Sequence, residues 1–475
     1  MTEVIRKKLN DSQGARWTAL LIVAFTMMMG YFITDVMSPL EDMLETPVAN
    51  GGFGWSSTEY GFFSGSYGFI NVYLLMLFFG GLILDKMGVR FTGLMACTLM
   101  VAGVFIKFYA LEFVSPEGTT FVNIPFLGLS DANVKNQVLL AALGFSIFGV
   151  GCEICGITVT KIIAKWFTGH GMALAMGVQV ALARLGTAAA LGASAPVAHA
   201  FNNVASPVLL GGVLLCIGLL AFIVYCVMDK KLDQSIEAVS GTMSNTSENE
   251  DEGFHFRDLG AIFKNPGFWL IVFLCLLFYS GVFPFLKFAT KLMISKYHIS
   301  PEVAGIIPML LPFGTIFLTP LFGIVYDRIG KGASLMIIGS LLLTFVHVLF
   351  AIPALNNIAI AIILMILLGI AFSLVPSAMW PSVPKIIPMK LLGSAYAIIF
   401  YIQNIGLSMV PILIGKVLDA NTTITADGTK MMDFTNAMCI FAGFGVAAVL
   451  LSVGLLILDK RNHYGLQKAN VKEGK

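Results

Sequence analysis

The chain has 475 residues, of which 57% are hydrophobic and only 12% charged. A soluble domain carries about 25% charged residues, so this chain has too little charge to coat a water-facing surface. A net charge of +2 shows no basic bias. A secreted disulfide scaffold, a nucleic-acid binder and a disordered hub are excluded, and a polytopic helical membrane protein in a lipid bilayer remains. The seven cysteines all fall in apolar stretches. Cys152 and Cys155 form a CxxC without a second pair or a nearby histidine, so they read as small packing residues inside a helix. No metal or cofactor site is expected, and neither a P-loop nor a nucleophile–base constellation points to an enzyme.

Membrane helices need about 20 mostly apolar residues. Twelve such windows lie near residues 17–40, 58–84, 91–112, 136–163, 169–196, 205–228, 267–295, 302–325, 334–353, 357–383, 391–418 and 434–458. The first begins at Trp17 and has no small-residue cleavage site, so it reads as a membrane helix rather than a signal peptide. Lys and Arg concentrate in the tails and in alternate connections, while only Lys135, Lys296 and Lys430 fall in the others. The positive-inside rule then predicts both termini in the cytoplasm. The polar stretch Asp229–Asn265 divides the twelve spans into two halves, and its run Ser244–Glu252 has the composition of a disordered segment. The predicted organisation is a tail (1–16), a six-helix bundle (17–228), a partly disordered linker (229–265), a second bundle (266–458) and a tail (459–475).

One element recurs. Between spans 2 and 3 the chain reads Gly81-Leu-Ile-Leu-Asp85-Lys86-Met-Gly88-Val-Arg90; between spans 8 and 9 it reads Gly323-Ile-Val-Tyr-Asp327-Arg328-Ile-Gly330. The first glycine of each would let two helices approach closely. The aspartate can latch onto a base or a helix N-terminus, and the last glycine permits a tight turn. Two copies in equivalent loops of a twelve-span chain resemble the major facilitator superfamily. That resemblance implies an all-α fold of two pseudo-symmetric six-helix bundles that rock about a central site. Asp85, Lys86, Arg90, Asp327 and Arg328 would then be gating residues.

An ionisable group at bilayer depth costs roughly 2.5–3.5 kcal/mol on insertion scales, so each needs a partner or a cavity. Glu153 in span 4 and Arg184 in span 5 lie at nearly equal distances from the turn near Thr168, which at 1.5 Å per residue places both roughly 22–24 Å from it. An acid and a base are thus level on adjacent antiparallel helices. They form either a structural salt bridge or a site with opposite poles. Gly149, Gly151 and Gly156 are expected to leave space beside the acid. Lys287 and Lys291 in span 7 share a helix face and should repel unless an anion or water lies between them, with Lys291 snorkelling as the alternative. Lys107 is expected to be paired or to snorkel, and His347 to be a satisfied packing residue. Asp35, in the stretch Gly30-Tyr31-Phe32-Ile33-Thr34-Asp35, faces a cavity, caps a broken helix or carries a coupling proton. Prolines near Trp380 should break span 10, and Gln403 and Asn404 in span 11 sit at about the depth of Arg184.

A narrower resemblance rests on Gly149-x-Gly151-x-Glu153, Trp166-Phe167, Met172-Ala173-Leu174, Ala183-Arg184-Leu185-Gly186, Trp380-Pro381, Gln403-Asn404-x-Gly406-Leu407 and Leu418-Asp419. These are similar to the lysosomal dipeptide uniporter branch of the superfamily. The resemblance implies a zwitterionic peptide held by Glu153 at its amino end and Arg184 at its carboxylate, with Trp380 and Asn404 on the remainder. Tyr31, Asp35, Lys287 and Gln403 complete the expected site. An anion carrier, with or without proton coupling, and a transport-inactive receptor or scaffold are the alternatives. The partner expected is a small solute, with no nucleic acid; any accessory subunit stays open. Without an acidic dileucine-type signal in the N-terminal tail, a bacterial plasma membrane is expected ahead of a lysosomal one.

Overall fold

The computed structural model describes residues 8–167, 171–240, 259–388, 391–424 and 430–469. Within them, eleven helices are long and apolar enough to cross a membrane. The twelfth crossing, span 2, is assembled from Ser57–Gly65, Ser66–Gly68, Phe69–Tyr73 and the start of the helix Met76–Phe113. A kink at Gly88 separates the end of span 2 from span 3. The other crossings are span 1 (Gln13–Glu45), span 4 (Asn136–Phe167), span 5 (Met172–Phe201), span 6 (Ser206–Ser240), span 7 (Pro266–Tyr297), span 8 (Ile306–Ile329), span 9 (Gly332–Ala351), span 10 (Ile358–Ile386), span 11 (Leu392–Ala420) and span 12 (Thr435–Asn462). The two motif glycines make the turns expected of them: Gly88 has φ +75° and Gly330 φ +73°, which L side chains avoid.

Three crossings are broken rather than straight. Span 1 stops its first helix at Asp35 and resumes at Ser38; Pro39 has no amide to continue the ladder. Span 7 breaks at Gly281–Val282, ahead of Pro284. Span 2 breaks at Leu74–Leu75, where Leu75 adopts φ +52°. Span 10, expected to break at its prolines, is instead one continuous helix containing Pro376, Pro381 and Pro384. Of the carbonyls these prolines leave without an amide donor, that of Trp380 accepts from the Tyr396 hydroxyl at 3.3 Å.

Span 6 runs on to Ser240, so the first part of the polar stretch is helical rather than linker. The reason is Asp229, buried at the end of the apolar stretch. It accepts from Lys165 at 2.9 Å, Tyr225 at 3.0 Å and Trp166 at 3.3 Å. The run Ser244–Glu252 lies outside the described residues. Two hairpins not anticipated from sequence, Thr119–Ile124 with Leu129–Lys135 and Thr422–Ile424 with Lys430–Met432, cap the side opposite the termini, here called the far side. The first docks on span 2 through Lys135 N, which donates to Glu59 at 2.8 Å.

Spans 1–6 and 7–12 form two bundles that meet along spans 2 and 11 and along spans 5 and 8. The junction is tight on the far side. A Cβ at Gly61, Gly65 or Gly415 would run into the carbonyl of Pro411, Ser408 or Ser57 across the boundary. Asp419, ending span 11, accepts from the amides of Ser57 and Thr58 at 2.9 and 2.7 Å, capping the start of span 2. The termini side differs. Gly81, Gly177, Gly323 and Gly393, near the termini-side ends of spans 2, 5, 8 and 11, meet nothing within 4 Å. The close approach expected at Gly81 and Gly323 is therefore absent from this state, in which the far side is shut. Gly61→Leu should hold spans 2 and 11 apart on the far side. A Ser64→Cys reporter should then label several-fold faster with a membrane-impermeant thiol reagent added there; unchanged labelling would show that the glycine contact does not close this side.

Candidate functional site

At mid-depth between the bundles lies a cavity of about 270 Å³. Drug-sized ligand pockets span roughly 300–1,000 Å³, so this one suits a small solute. All eight residues singled out from the sequence line it: Tyr31, Asp35, Glu153, Arg184, Lys287, Trp380, Gln403 and Asn404. Thr34, Ser64, Tyr67, Tyr279, Phe283 and Phe400 also line the cavity and were not foreseen. Tyr279, Phe283 and Pro284 reach it because span 7 breaks at Gly281–Val282; that Gly and Pro in an apolar window were the available signal. Tyr67 had none beyond its place in Ser64-Gly65-Ser66-Tyr67.

The acid and the base are not spent on each other. Glu153 accepts from the Tyr67 hydroxyl at 2.9 Å, and no ion pair joins it to Arg184 among the described residues. The Arg184 guanidinium lies over three aromatic faces: Phe372 at 5.2 Å, Phe283 at 5.5 Å and Tyr31 at 6.0 Å. Two of these rings belong to the other bundle. A guanidinium on ring faces keeps its donors for a carboxylate. The glycines around Glu153 serve packing more than space: Gly149 abuts the Tyr67 carbonyl and Gly151 abuts span 3 at Ala96 and Met100, while Gly156 meets only the tip of Met27.

The lysines of span 7 do not face a common anion. Lys287 donates to Asp35 at 2.6 Å and to the Thr34 carbonyl at 2.7 Å. Lys291 does not snorkel; it pairs with Asp42 at 2.5 Å. Each ammonium thus has a carboxylate from span 1, across the bundle boundary. Asp35 combines two of its anticipated roles, facing the cavity and ending a broken helix. Lys107 neither snorkels nor forms an ion pair among the described residues. It is fully buried, donates to the Ile33 carbonyl at 3.2 Å and lies over Phe145 at 4.7 Å. His347 is buried against Phe441 and bonds the Gly281 carbonyl at 2.8 Å.

The wall from the second bundle is aromatic and amide. Trp380 stacks on Phe400 at 4.9 Å and donates to Tyr279 at 3.0 Å. Asn404 donates to the Phe400 carbonyl at 2.9 Å, while its buried Oδ1 has no partner among the described residues. Far from the cavity, Asp85 bonds Lys161 at 2.8 Å and Arg90 bonds Asp233 at 2.8 Å, both within the first bundle. Lys86 and Arg328 are exposed, and Asp327 is half-buried.

Two helical bundles enclosing a central polar cavity at mid-membrane define a membrane transporter. The Major Facilitator Superfamily model matches residues 20–411, and the chain belongs to that family. Among curated proteins it is similar to the lysosomal dipeptide transporter MFSD1 of Homo sapiens, 24% identical over 95% of this chain and 87% of that one. The Bos taurus protein of the same name is 24% identical over 85% of this chain and 80% of its own length. Among solved structures, the nucleoside transporter NupG aligns with TM-score 0.65 at 16% identity, covering 94% of this chain and 99% of that one. A peptide transporter POT in complex with sulfate aligns with TM-score 0.66 at 13% identity, covering 96% and 95%. These structures share the fold.

The Asp35–Lys287 pair generates a stability prediction, since its side chains are only 8% and 13% exposed. Asp35→Asn strands the ammonium and should cost about 3–5 kcal/mol, read as a lower thermal midpoint in detergent. Adding Lys287→Met should recover most of the loss; a double variant as unstable as the single one would show that the ion pair is not the cause.

Proposed function

We propose that the chain transports dipeptides, or zwitterions of similar size, by alternating access. Glu153 holds the amino group, Arg184 the carboxylate, and Tyr31, Trp380, Gln403 and Asn404 the remainder. The observation that supports this most is the uncompensated pair: an acid and a base line one cavity and neither is neutralised by the other. Since Asp35 and Lys287 cancel, the cavity presents one free charge of each sign, which complements a cargo that is neutral overall but has two poles. A purely anionic cargo would leave the Glu153 carboxylate facing like charge, and a neutral sugar would leave both charges desolvated without a partner.

The positions of Lys and Arg support both termini in the cytoplasm, which makes the termini side cytoplasmic. Asp85, Lys86, Arg90, Asp327 and Arg328 act as gating elements of that side, drawing together when it closes. The relatives carry lysosomal names, so they lend nothing to a bacterial-membrane setting. Transport runs as facilitated diffusion of the peptide.

The test is a thermal-shift screen of purified protein against dipeptides, free amino acids, sugars and carboxylates, followed by uptake into proteoliposomes. Dipeptides should stabilise the protein, and capping either peptide end should abolish the shift. Arg184→Ala should weaken peptide affinity by roughly 10- to 100-fold, as expected for a charge-assisted hydrogen bond worth about 1.5–3 kcal/mol. Retained binding of amino-blocked peptides together with an indifferent Glu153→Gln would point to an anion carrier. Binding without uptake would point to a receptor.

A further inference from the structure

The closed far side contains a carboxyl that the transport site does not use. Glu41 opens the short helical turn Glu41–Glu45 at the end of span 1 and is fully buried. Neither of its carboxyl oxygens has a hydrogen-bond partner among the described residues. It does not line the central cavity. The groups that face it are committed elsewhere or carry the same sign. On its own turn, Asp42 pairs with Lys291, and Glu45 accepts from Ser57 Oγ at 2.5 Å while lying 3.5 Å from the same ammonium. From span 11, Asp419 faces it with both oxygens held by the amides of Ser57 and Thr58. From span 2, the Tyr60 hydroxyl is donated to the Lys287 carbonyl at 2.9 Å. From span 7 comes Lys291, while Lys287, one turn deeper, is taken by Asp35. Three carboxyls, Glu41, Asp42 and Glu45, thus share one ammonium, and Asp419 adds a fourth negative group on the side of Glu41.

A carboxylate buried without partners is expensive, and neighbouring carboxylates add to the cost. The neutral acid is the form that fits this closed packing, and a proton is the ligand that completes it. We propose that Glu41 is a proton-binding site of the far-side gate, distinct from the cargo site. As the gate closes, a proton from the far compartment forms an O–H bond on one Glu41 oxygen. As the gate opens and water reaches the group, that bond breaks and the proton returns to water in the same compartment. No other bond changes. Because uptake and release occur on one side, the far compartment's pH sets how often the gate is closed, but a pH difference across the membrane drives no net accumulation. Acid on the far side favours the closed gate. The closed-to-open ratio changes by up to about tenfold per pH unit, the limit for one proton. This requires only that the far side opens and closes, and it stands whether or not the cargo is a dipeptide.

The experiment needs no cargo. Nitroxide labels at Asn50→Cys and Ala420→Cys, both exposed on the far side and in opposite bundles, are placed in the full chain with Cys439→Ser. The protein is reconstituted in liposomes, and label distances are measured with the pH of the two compartments set separately. Lowering the far-side pH from 8 to 5 should shift the population from long to short distances, and the termini-side pH should have no effect. Glu41→Gln should show the short distance at every pH, whereas Glu41→Asp should keep a pH response. A distance distribution in the parent protein that ignores far-side pH overturns the proposal without any further variant. So does an unaltered pH response in Glu41→Gln, and a response to the termini-side pH removes the same-side exchange.

Discussion

A charge carried to bilayer depth must find a counter-charge, a hydrogen-bond acceptor or water, and this constraint organises the protein. Lys287 and Lys291 leave span 7 and meet Asp35 and Asp42 of span 1 at 2.6 and 2.5 Å. These pairs cross the boundary between the bundles, so satisfying two buried ammoniums also holds the far side shut. Opening that side separates the charges, and the cost is recovered only if water enters with the opening.

Broken helices supply the other half of the arrangement. The interruption after Asp35 frees carbonyls at mid-depth, and two lysines take them: Lys107 from the first bundle at Ile33 and Lys287 from the second at Thr34. The interruption of span 7 turns the Gly281 carbonyl to His347 and swings Phe283 under the Arg184 guanidinium. Non-helical backbone inside a membrane is tolerated where protein side chains satisfy it. Here those side chains are Lys107, Lys287 and His347, of which Lys287 also lines the cavity. With Asp35 and Lys287 neutralising each other, Glu153 and Arg184 remain as cavity-lining charges of opposite sign with no ion pair among the described residues.

Much of this was legible in the chain because membrane helices obey few rules. Helix rise alone placed Glu153 and Arg184 at one height, and helix depth placed Gln403 and Asn404 near them. All four line the same cavity. The positive-φ turns at Gly88 and Gly330 were legible from the repeated motif. What escaped is what depends on a neighbour distant in sequence. Lys287 and Lys291 share a face and looked mutually repulsive until span 1 brought a carboxylate to each. Lys107 was expected to pair or to snorkel, yet it is enclosed by rings from spans 2 and 4. Prolines announced a break in span 10, yet the helix runs through them, with the Tyr396 hydroxyl of span 11 on the Trp380 carbonyl that Pro384 leaves free.

The sequence by itself therefore determined the number and depth of the spans, the twofold plan and eight of the residues that line the cavity. Those follow from hydropathy, a repeated turn and the fixed rise of a helix. Only the tertiary structure decided which charges cancel and which stay available, and which end of the cavity is sealed. The physical reason is that a side chain's height is set by its own helix, whereas its partner is set by how two bundles with no covalent register between them come to rest against each other.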